Sequence, residues 1–228
     1  MRLLSDIYNL FFPETCFICE NPLTDNEKYL CTSCSYNLPE SHYTDVKNNA
    51  LEQIFQGRIP IKEATSLLLY SKKGIVQKLI HQLKYKNQQE IGVFLGKWLA
   101  NEIKQSNRFK NIDYIIPIPL HKKRLKERGY NQLDLFGKTL SEELNIPYET
   151  KLLLKTTNTK KQSKKNRFAR MEKLETIFKL NPYKDFNNKH FLLIDDIVTT
   201  GATIETCYSC LSQLKNIQIS IAVMAFTL

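Results

Sequence analysis

An acid pair followed by small hydroxyl residues is the part of the sequence best suited to chemistry. Asp195 and Asp196 follow the apolar run 191–194 and precede a Thr-Thr-Gly turn. Gly201 lets the backbone approach an anion, and N–H groups and hydroxyls at a helix N-terminus can surround a phosphate. Carboxylates would repel that phosphate unless they faced sugar hydroxyls or Mg²⁺. The segment predicts a ribose-phosphate site, with an acidic helix cap as the alternative. The phosphate-binding residues predicted are Val198, Thr199, Thr200, Gly201, Ala202 and Thr203.

A second cluster, within residues 117–132, is a predicted loop that carries basic residues behind another apolar strand. Arg124 and Arg128 have the side chains that clamp a pyrophosphate through paired hydrogen bonds, and Gly129 permits close approach. If both strands belong to one parallel sheet, the two clusters flank a single ligand. For Arg128, a solvated surface position is the alternative.

A third cluster, residues 155–173, is strongly basic, with one acid and little apolar content. We expect a mobile loop that becomes ordered when an anion arrives. Lys165 and Arg170 are its candidates for the pyrophosphate side. Lysines of the same loop are also suited to a nucleic-acid backbone.

Two C-x2-C pairs near the start of the chain offer four thiolates, from Cys16, Cys19, Cys31 and Cys34. This pattern predicts a tetrahedral zinc site with a structural role, and metal binding would supply most of the stability of so small a segment. An iron–sulfur cluster and a redox disulfide pair are the alternatives. A third pair, Cys207 and Cys210, falls on a helical apolar face and is expected to be buried thiols.

The elements that must position these clusters follow from apolar periodicity. Helical spacing of apolar residues predicts a short helix before Pro13 and further helices around 75–83, 91–103, 133–144 and 204–214. Continuous apolar runs predict strands at 64–70, 112–119, 191–195 and 217–226. Alternation of strands and helices predicts an α/β domain with a mainly parallel sheet, in which ligands bind at the carboxyl ends of the strands. We place residues 1–50 in a helix and cysteine module and residues 51–228 in the α/β domain.

The overall composition agrees with an anionic ligand. The 228-residue chain has a formal charge of +10, which favours nucleotides, phosphorylated sugars or nucleic acid as partners. Neither a signal peptide nor an apolar run of membrane-spanning length is evident, so we expect a reduced, cytoplasmic protein without membrane insertion.

The acid-pair loop resembles the signature of type I phosphoribosyltransferases. With Leu83-Lys84-Tyr85, Arg128-Gly129-Tyr130-Asn131-Gln132 and the paired cysteines, nearly the whole chain resembles the ComF competence-protein family. Gln162 and Arg170 also fit that family, whereas Lys173 replaces its usual asparagine. The resemblance implies a type I phosphoribosyltransferase-like mainly parallel sheet flanked by helices, with a small zinc-ribbon-like module.

The resemblance also implies a ligand and a role. It assigns Asp195 and Asp196 to the ribose of 5-phosphoribosyl-1-pyrophosphate (PRPP), bound with Mg²⁺, and residues 199–203 to its 5-phosphate. In an active enzyme these acids and Arg128 would stabilise charge while pyrophosphate leaves. The implied role is in DNA uptake and natural transformation, with single-stranded DNA and a helicase-type competence partner. A salvage phosphoribosyltransferase and a non-catalytic, PRPP-sensing nucleic-acid adaptor are the alternatives.

Overall fold

The computed structural model describes residues 13–156 and 178–228, which form two sheets and seven helices. The strands are β1 (Ala64–Tyr70), β2 (Tyr114–Pro117), β3 (Leu153–Lys155), β4 (Phe178–Leu180), β5 (His190–Val198) and β6 (Gln218–Thr227). The helices are α1 (Thr32–Tyr36), α2 (Ala50–Gln53), α3 (Ile75–Tyr85), α4 (Glu90–Gln105), α5 (Lys122–Arg128), α6 (Asp134–Leu144) and α7 (Ala202–Leu211).

The main sheet has the strand order β1-β6-β5-β2, and all of its pairings are parallel. Its two central strands, β5 and β6, are buried along almost their whole length, which explains their continuous apolar sequences. Their pairing runs from His190 opposite Gln218 to Val198 opposite Phe226. The predicted α/β class with a mainly parallel sheet is confirmed. Because β5 is a central strand, its C-terminal end lies in the middle of one edge of the sheet.

The predicted helices of the α/β region are present with small shifts at their ends. In α3, for example, the residues Val76, Leu79, Ile80 and Leu83 are buried, as their spacing predicts. Helix α4 packs along α6, and α7 contacts the small sheet formed by β3 and β4. The helix predicted before Pro13 lies outside the described residues.

Two differences from the predicted elements lie around the basic clusters. The segment after β2 was expected to be a loop, but its lysine, arginine, leucine and glutamate residues form α5, in keeping with their helix propensity. Strands β3 and β4 form an antiparallel pair that was not predicted, because three-residue strands are too short to show alternation. This pair contacts α7 and places Lys155, the first residue of the basic cluster, beside Phe178.

The cysteine-containing segment packs directly on the α/β region. The rings of Tyr29 and Phe94 lie 5.2 Å apart, and Gln82 Nε2 donates to Glu20 Oε1 at 2.6 Å. Buried residues beside the cysteines, including Ile18 and Leu30, belong to the same hydrophobic core as the sheet. The two parts of the chain therefore share one apolar interior.

A buried arginine fixes the connection between the cysteine segment and β1. The side chain of Arg108 is 7% exposed and forms ion pairs with Glu52 and Glu63. It also donates to the carbonyl oxygens of Tyr43 and Thr44, at 3.1 and 3.3 Å. A buried arginine needs such partners, because an unpaired charge in a protein interior is costly. The arrangement holds α2 and the residues after it against the sheet.

Within residues 13–156 and 178–228, no helix is long and apolar enough to cross a membrane.

Candidate functional site

The turn after β5 is a small concave site at the carboxyl edge of the sheet. Gly201 has a φ of +76° and is the N-cap of α7, a ten-residue helix. The flanking residues Thr199, Thr200, Ala202 and Thr203 are exposed, whereas Val198 is buried. A cavity of about 40 Å³ is lined by Asp195 and residues 197–204. It has room for a small anionic group and faces the N-terminal, electropositive end of a helix.

The segment that follows α2 packs against the turn and supports it. A side chain on Gly201 would place its Cβ 2.6 Å from Phe55 Cε1, so the backbone lies directly on that buried ring. Arg58 Nη1 donates to the carbonyl oxygens of Ile54 and Thr200, at 2.8 and 2.9 Å, and Arg58 forms an ion pair with Glu205 of α7. No local sequence pattern indicates the contacts of Phe55 and Arg58 with the turn and α7; Arg58 and Thr200, for example, are 142 positions apart.

The two acids of the pair face different surroundings, as successive residues of a strand must. Asp196 is buried, and both of its carboxylate oxygens are occupied. Lys84 Nζ of α3 donates to Oδ1 at 2.8 Å, and Gln132 Nε2 donates to Oδ2 at 2.7 Å. Asp196 is therefore fixed by a buried ion pair and an amide. Both partners stand in motifs shared with ComF proteins, which is the only signal that could have indicated them.

Asp195 is the acid that lines the cavity. Its Oδ1 accepts from the backbone N–H of Asp196 at 2.8 Å. Burial and, next, the negative charge of Asp196 raise the pKa of Asp195 to about 8, although Lys84 and Lys155 oppose the shift. On the same side lies the buried thiol of Cys207, whose pKa is raised by burial and then by Asp195. Cys207 and Cys210 are both buried, as their helical positions predicted.

Arg128 joins the second basic cluster to the acid pair. Its Nη1 donates to Gln132 Oε1 at 2.7 Å, and Gln132 in turn holds Asp196. Its guanidinium carbon also lies 5.1 Å from the centre of the Tyr85 ring. A continuous chain of contacts therefore runs from Lys84 through Asp196 and Gln132 to Arg128. Gly129 follows with a φ of +79°.

Lys155, on β3, adds a positive charge that our sequence-based site did not include. Burial lowers its pKa most, the charge of Arg124 lowers it further, and Cys207 and Asp195 oppose both effects. Exposed Arg124 and half-buried Lys155 are thus close enough to influence each other beside Asp195. Lys165 and Arg170, the remaining pyrophosphate-side candidates, lie outside the described residues.

The four N-terminal cysteines converge as a metal site requires. The sulfur atoms of Cys16, Cys19, Cys31 and Cys34 all lie within 4.8 Å of one another. Tetrahedral zinc with Zn–S bonds of about 2.3 Å separates its sulfurs by about 3.8 Å. The Cys19 and Cys31 sulfurs are 3.7 Å apart. Four thiolates in this arrangement fit a closed structural zinc site, and they are the one metal-ligating cluster found among the described residues.

Curated proteins from several bacteria resemble the chain over most of its length. It is 28% identical to competence protein F of Haemophilus influenzae, and the match covers 90% of this chain and 93% of that protein. Identity is 27% with DNA utilization protein YhgH of Escherichia coli (86% and 89% covered) and 28% with competence protein ComFC of Bacillus subtilis (87% and 78%). A scan against protein-family models finds no match.

Among solved structures, adenine phosphoribosyltransferases give low structural similarity. The enzyme from Leishmania tarentolae is 12% identical, with a TM-score of 0.40 over 83% of this chain and 94% of that one. The enzyme from Trypanosoma brucei is 12% identical, with a TM-score of 0.40 over 79% and 81%. These values add nothing to what the topology itself shows.

The parallel sheet, the acid-pair turn at its edge and the four-cysteine cluster define an α/β protein with a candidate anion site at the carboxyl ends of its strands and a cluster that fits a metal ion. Within that class, the sequence is similar to competence protein F, ComFC and YhgH over most of its length, in agreement with the ComF resemblance of its motifs.

Proposed function

We propose that the chain binds PRPP or a closely related ribose phosphate, with Mg²⁺, and acts in DNA uptake. The observation that carries the proposal is that Asp195 and the turn 199–203 line one cavity at the carboxyl end of β5. The carboxylate can accept hydrogen bonds from the hydroxyls of a ribose, and the backbone N–H groups of the turn can donate to its 5-phosphate. The site therefore matches both the sugar and the phosphate of a ribose 5-phosphate.

The proposed roles follow the geometry of each residue. Asp195 accepts hydrogen bonds from the ribose hydroxyls, and Asp196 completes the acidic pair from its position between Lys84 and Gln132. Arg128, Arg124 and Gly129 provide the pyrophosphate side from α5 and its C-terminal end. We keep Lys165 and Arg170 as further pyrophosphate-side residues, and residues 1–50 as a module that is distinguished from 51–228 by its cysteines and packs on the same core.

The charges beside Asp195 support an anionic ligand. Lys155 lies near Asp195, and Arg124 lies near Lys155, so positive side chains stand beside the carboxylate. If Mg²⁺ binds with this ligand, Asp195 is the carboxylate that would face it, and the ion would offset the negative charge of the pyrophosphate. If pyrophosphate is displaced, this chain contributes positioning and electrostatic stabilisation, since none of the proposed roles requires a side-chain nucleophile.

The role in DNA uptake is supported by the relatives. Two of them are named competence proteins and a third a DNA utilization protein, and each match extends over most of both chains. We propose single-stranded DNA and a helicase-type component of the competence machinery as partners, with the protein in the cytoplasm. The formal charge of +10 suits such a polyanion.

Isothermal titration calorimetry with PRPP and Mg²⁺ tests the ribose-phosphate proposal. Asp195→Asn keeps the side-chain shape but removes the charge that strengthens its hydrogen bonds. Charge-assisted hydrogen bonds contribute about 1.5–3 kcal/mol, so we expect the affinity to fall by roughly 10- to 100-fold. The double variant Asp195→Asn with Asp196→Asn should show no measurable binding.

Asp185→Asn is the matched control, because Asp185 is an exposed carboxylate that precedes β5 and lies outside the proposed site. It should bind PRPP like the wild type. Equal affinities for Asp195→Asn and the wild type would refute the ribose assignment. A screen of nucleobases for pyrophosphate release then separates a transferase from a non-catalytic binding protein.

A further inference from the structure

The solvent face of α3 carries an unusual combination of aromatic and basic side chains. The helix buries its apolar side, so Lys78, His81 and Tyr85 share the opposite side at helical spacing. Tyr85 is 61% exposed, which is high for so large an apolar ring. An exposed aromatic ring next to basic side chains is the combination found on surfaces that bind single-stranded nucleic acid.

Tyr85 contacts two other planar groups. The ring centres of His81 and Tyr85 are 5.0 Å apart, and the Arg128 guanidinium carbon lies 5.1 Å from the Tyr85 ring centre. Arg128 Nη2 also donates to Tyr85 Oη at 3.4 Å. The hydroxyl and the ring are thus both restrained by Arg128, and the exposed ring is held in place rather than free to rotate.

A basic groove adjoins this aromatic group. A cavity of about 540 Å³ lies between α3 and the cysteine-containing segment. Three lysines line it against one carboxylate, that of Glu20, which already accepts from Gln82. Because His81 lines the groove and also contacts Tyr85, the two features are continuous.

We propose that this surface, the α3 face, binds single-stranded nucleic acid. The α3 face consists of Lys73, Lys78, His81, Tyr85, Lys86 and Arg128. Bases stack on Tyr85 and His81 while the lysines of the groove contact the phosphate backbone, the combination by which proteins bind single strands without sequence preference. The inference rests on the proposed role in DNA uptake and locates the contact with DNA.

The aromatic residues favour a single strand over other polyanions. In a duplex the base faces are already stacked and cannot reach Tyr85, and an acidic peptide would use the lysines but not the ring. Lys78 and Tyr85 are separated by seven residues of helix, or about 10 Å. Stacked nucleotides rise about 3.4 Å each, so this distance corresponds to roughly three of them.

Fluorescence anisotropy with a labelled oligothymidylate of 20 nucleotides tests the α3 face. Tyr85→Ala removes a stacking platform worth about a 5- to 150-fold change in affinity. We therefore expect binding at least fivefold weaker than that of the wild type. Lys78→Gln removes one phosphate contact, so the slope of log affinity against log salt should become shallower by about 0.7.

Two controls match these variants in chemistry but lie elsewhere. Tyr36, on α1, is 89% exposed, and Lys215 is an exposed lysine after α7. Tyr36→Ala and Lys215→Gln should bind the oligonucleotide like the wild type. The proposal is overturned if Tyr85→Ala and Lys78→Gln bind normally, if the controls lose as much affinity, or if duplex DNA of equal length binds as tightly.

Measurements of PRPP binding on the same samples distinguish a failure of the α3 face from a failure of the ribose-phosphate proposal. Absence of calorimetric PRPP binding by the wild type, with oligonucleotide binding that depends on Tyr85, would overturn only the ribose-phosphate site. Normal PRPP binding without oligonucleotide binding would overturn only the α3 face.

Discussion

Asp195 and Asp196 are neighbours in sequence but differ in what surrounds their carboxylates. Asp196 is neutralised by Lys84 and hydrogen-bonded by Gln132, so its position is fixed before any ligand arrives. Asp195 lines the cavity and has a raised pKa, because burial and the charge of Asp196 both disfavour its ionised form. The pair thus combines Asp196, which is held by protein contacts, with Asp195, which is available to a ligand.

The raised pKa of Asp195 predicts pH-dependent binding of PRPP. A free carboxyl with a pKa near 8 is mostly protonated at pH 6.5, whereas Mg²⁺ and sugar hydroxyls favour the carboxylate. Binding must then displace a proton, so affinity should rise with pH through this range, by up to tenfold per unit below the pKa. Calorimetry in buffers of different ionisation enthalpy measures the proton released.

Titration of PRPP itself also contributes to such a profile, so Asp195→Asn is the control. The variant should lose the part of the pH dependence that comes from the protein. An identical pH profile in the variant and the wild type would rule out Asp195 as the titrating group.

At the scale of single residues, the sequence predicted groups that lie in one motif and missed those supplied from a distance. The acid pair and the Thr-Thr-Gly turn were identified because strand, acids and turn are consecutive. Lys84, Lys155 and Arg58 reach the site from α3, β3 and the segment before β1. No local sequence pattern predicts these contacts, because they depend on how the helices and strands pack.

At the scale of elements, the turn 199–203 depends on its contact with the segment after α2. Gly201 combines a positive φ with a backbone seated on Phe55, so it meets two separate requirements for glycine. The strand and helix on either side were predicted correctly because both are long and periodic. The supporting segment was not predicted, because α2 has only four residues.

Substitution of Gly201 by alanine should destabilise the protein through both requirements. Gly57→Ala is the matched control: Gly57 has a φ of +69°, but nothing lies within 4 Å of its added Cβ. The left-handed backbone alone costs about 1–2 kcal/mol in either variant. The contact with Phe55 should add roughly 1–3 kcal/mol in Gly201→Ala only.

Urea denaturation of the two variants measures this difference. PRPP affinity should fall in Gly201→Ala and stay normal in Gly57→Ala, because only Gly201 lines the cavity. Equal losses of unfolding free energy in the two variants would contradict the proposed seating on Phe55.

At the scale of the whole molecule, the cysteine-containing segment and the α/β region share one hydrophobic core. The sequence placed a boundary after residue 50, where composition changes from polar to periodic. Composition cannot reveal contacts such as Tyr29 with Phe94 or Gln82 with Glu20, which join the two parts. A disturbance of the cysteine cluster is therefore expected to reach the sheet.

Metal analysis of unstripped protein should find about one zinc per chain, bound by the four cysteines. Removal of that zinc by a chelator should lower the midpoint of thermal unfolding of the whole chain, since metal binding contributes to folding free energy. Cys16→Ser should have the same effect without a chelator. Cys210→Ser, which changes a buried thiol outside the cluster, should leave the zinc content unchanged. Full zinc content in Cys16→Ser would contradict the assignment.

The chain of contacts from Lys84 through Asp196, Gln132 and Arg128 to Tyr85 has a thermodynamic consequence. If pyrophosphate draws Arg128 towards the sheet edge, the guanidinium leaves the Tyr85 ring, and the α3 face loses its restraint. Linkage then requires reciprocity: the factor by which PRPP changes the affinity for a single strand is the factor by which the strand changes the affinity for PRPP. A network of five side chains would in this way make a metabolite and a nucleic acid effectors of each other.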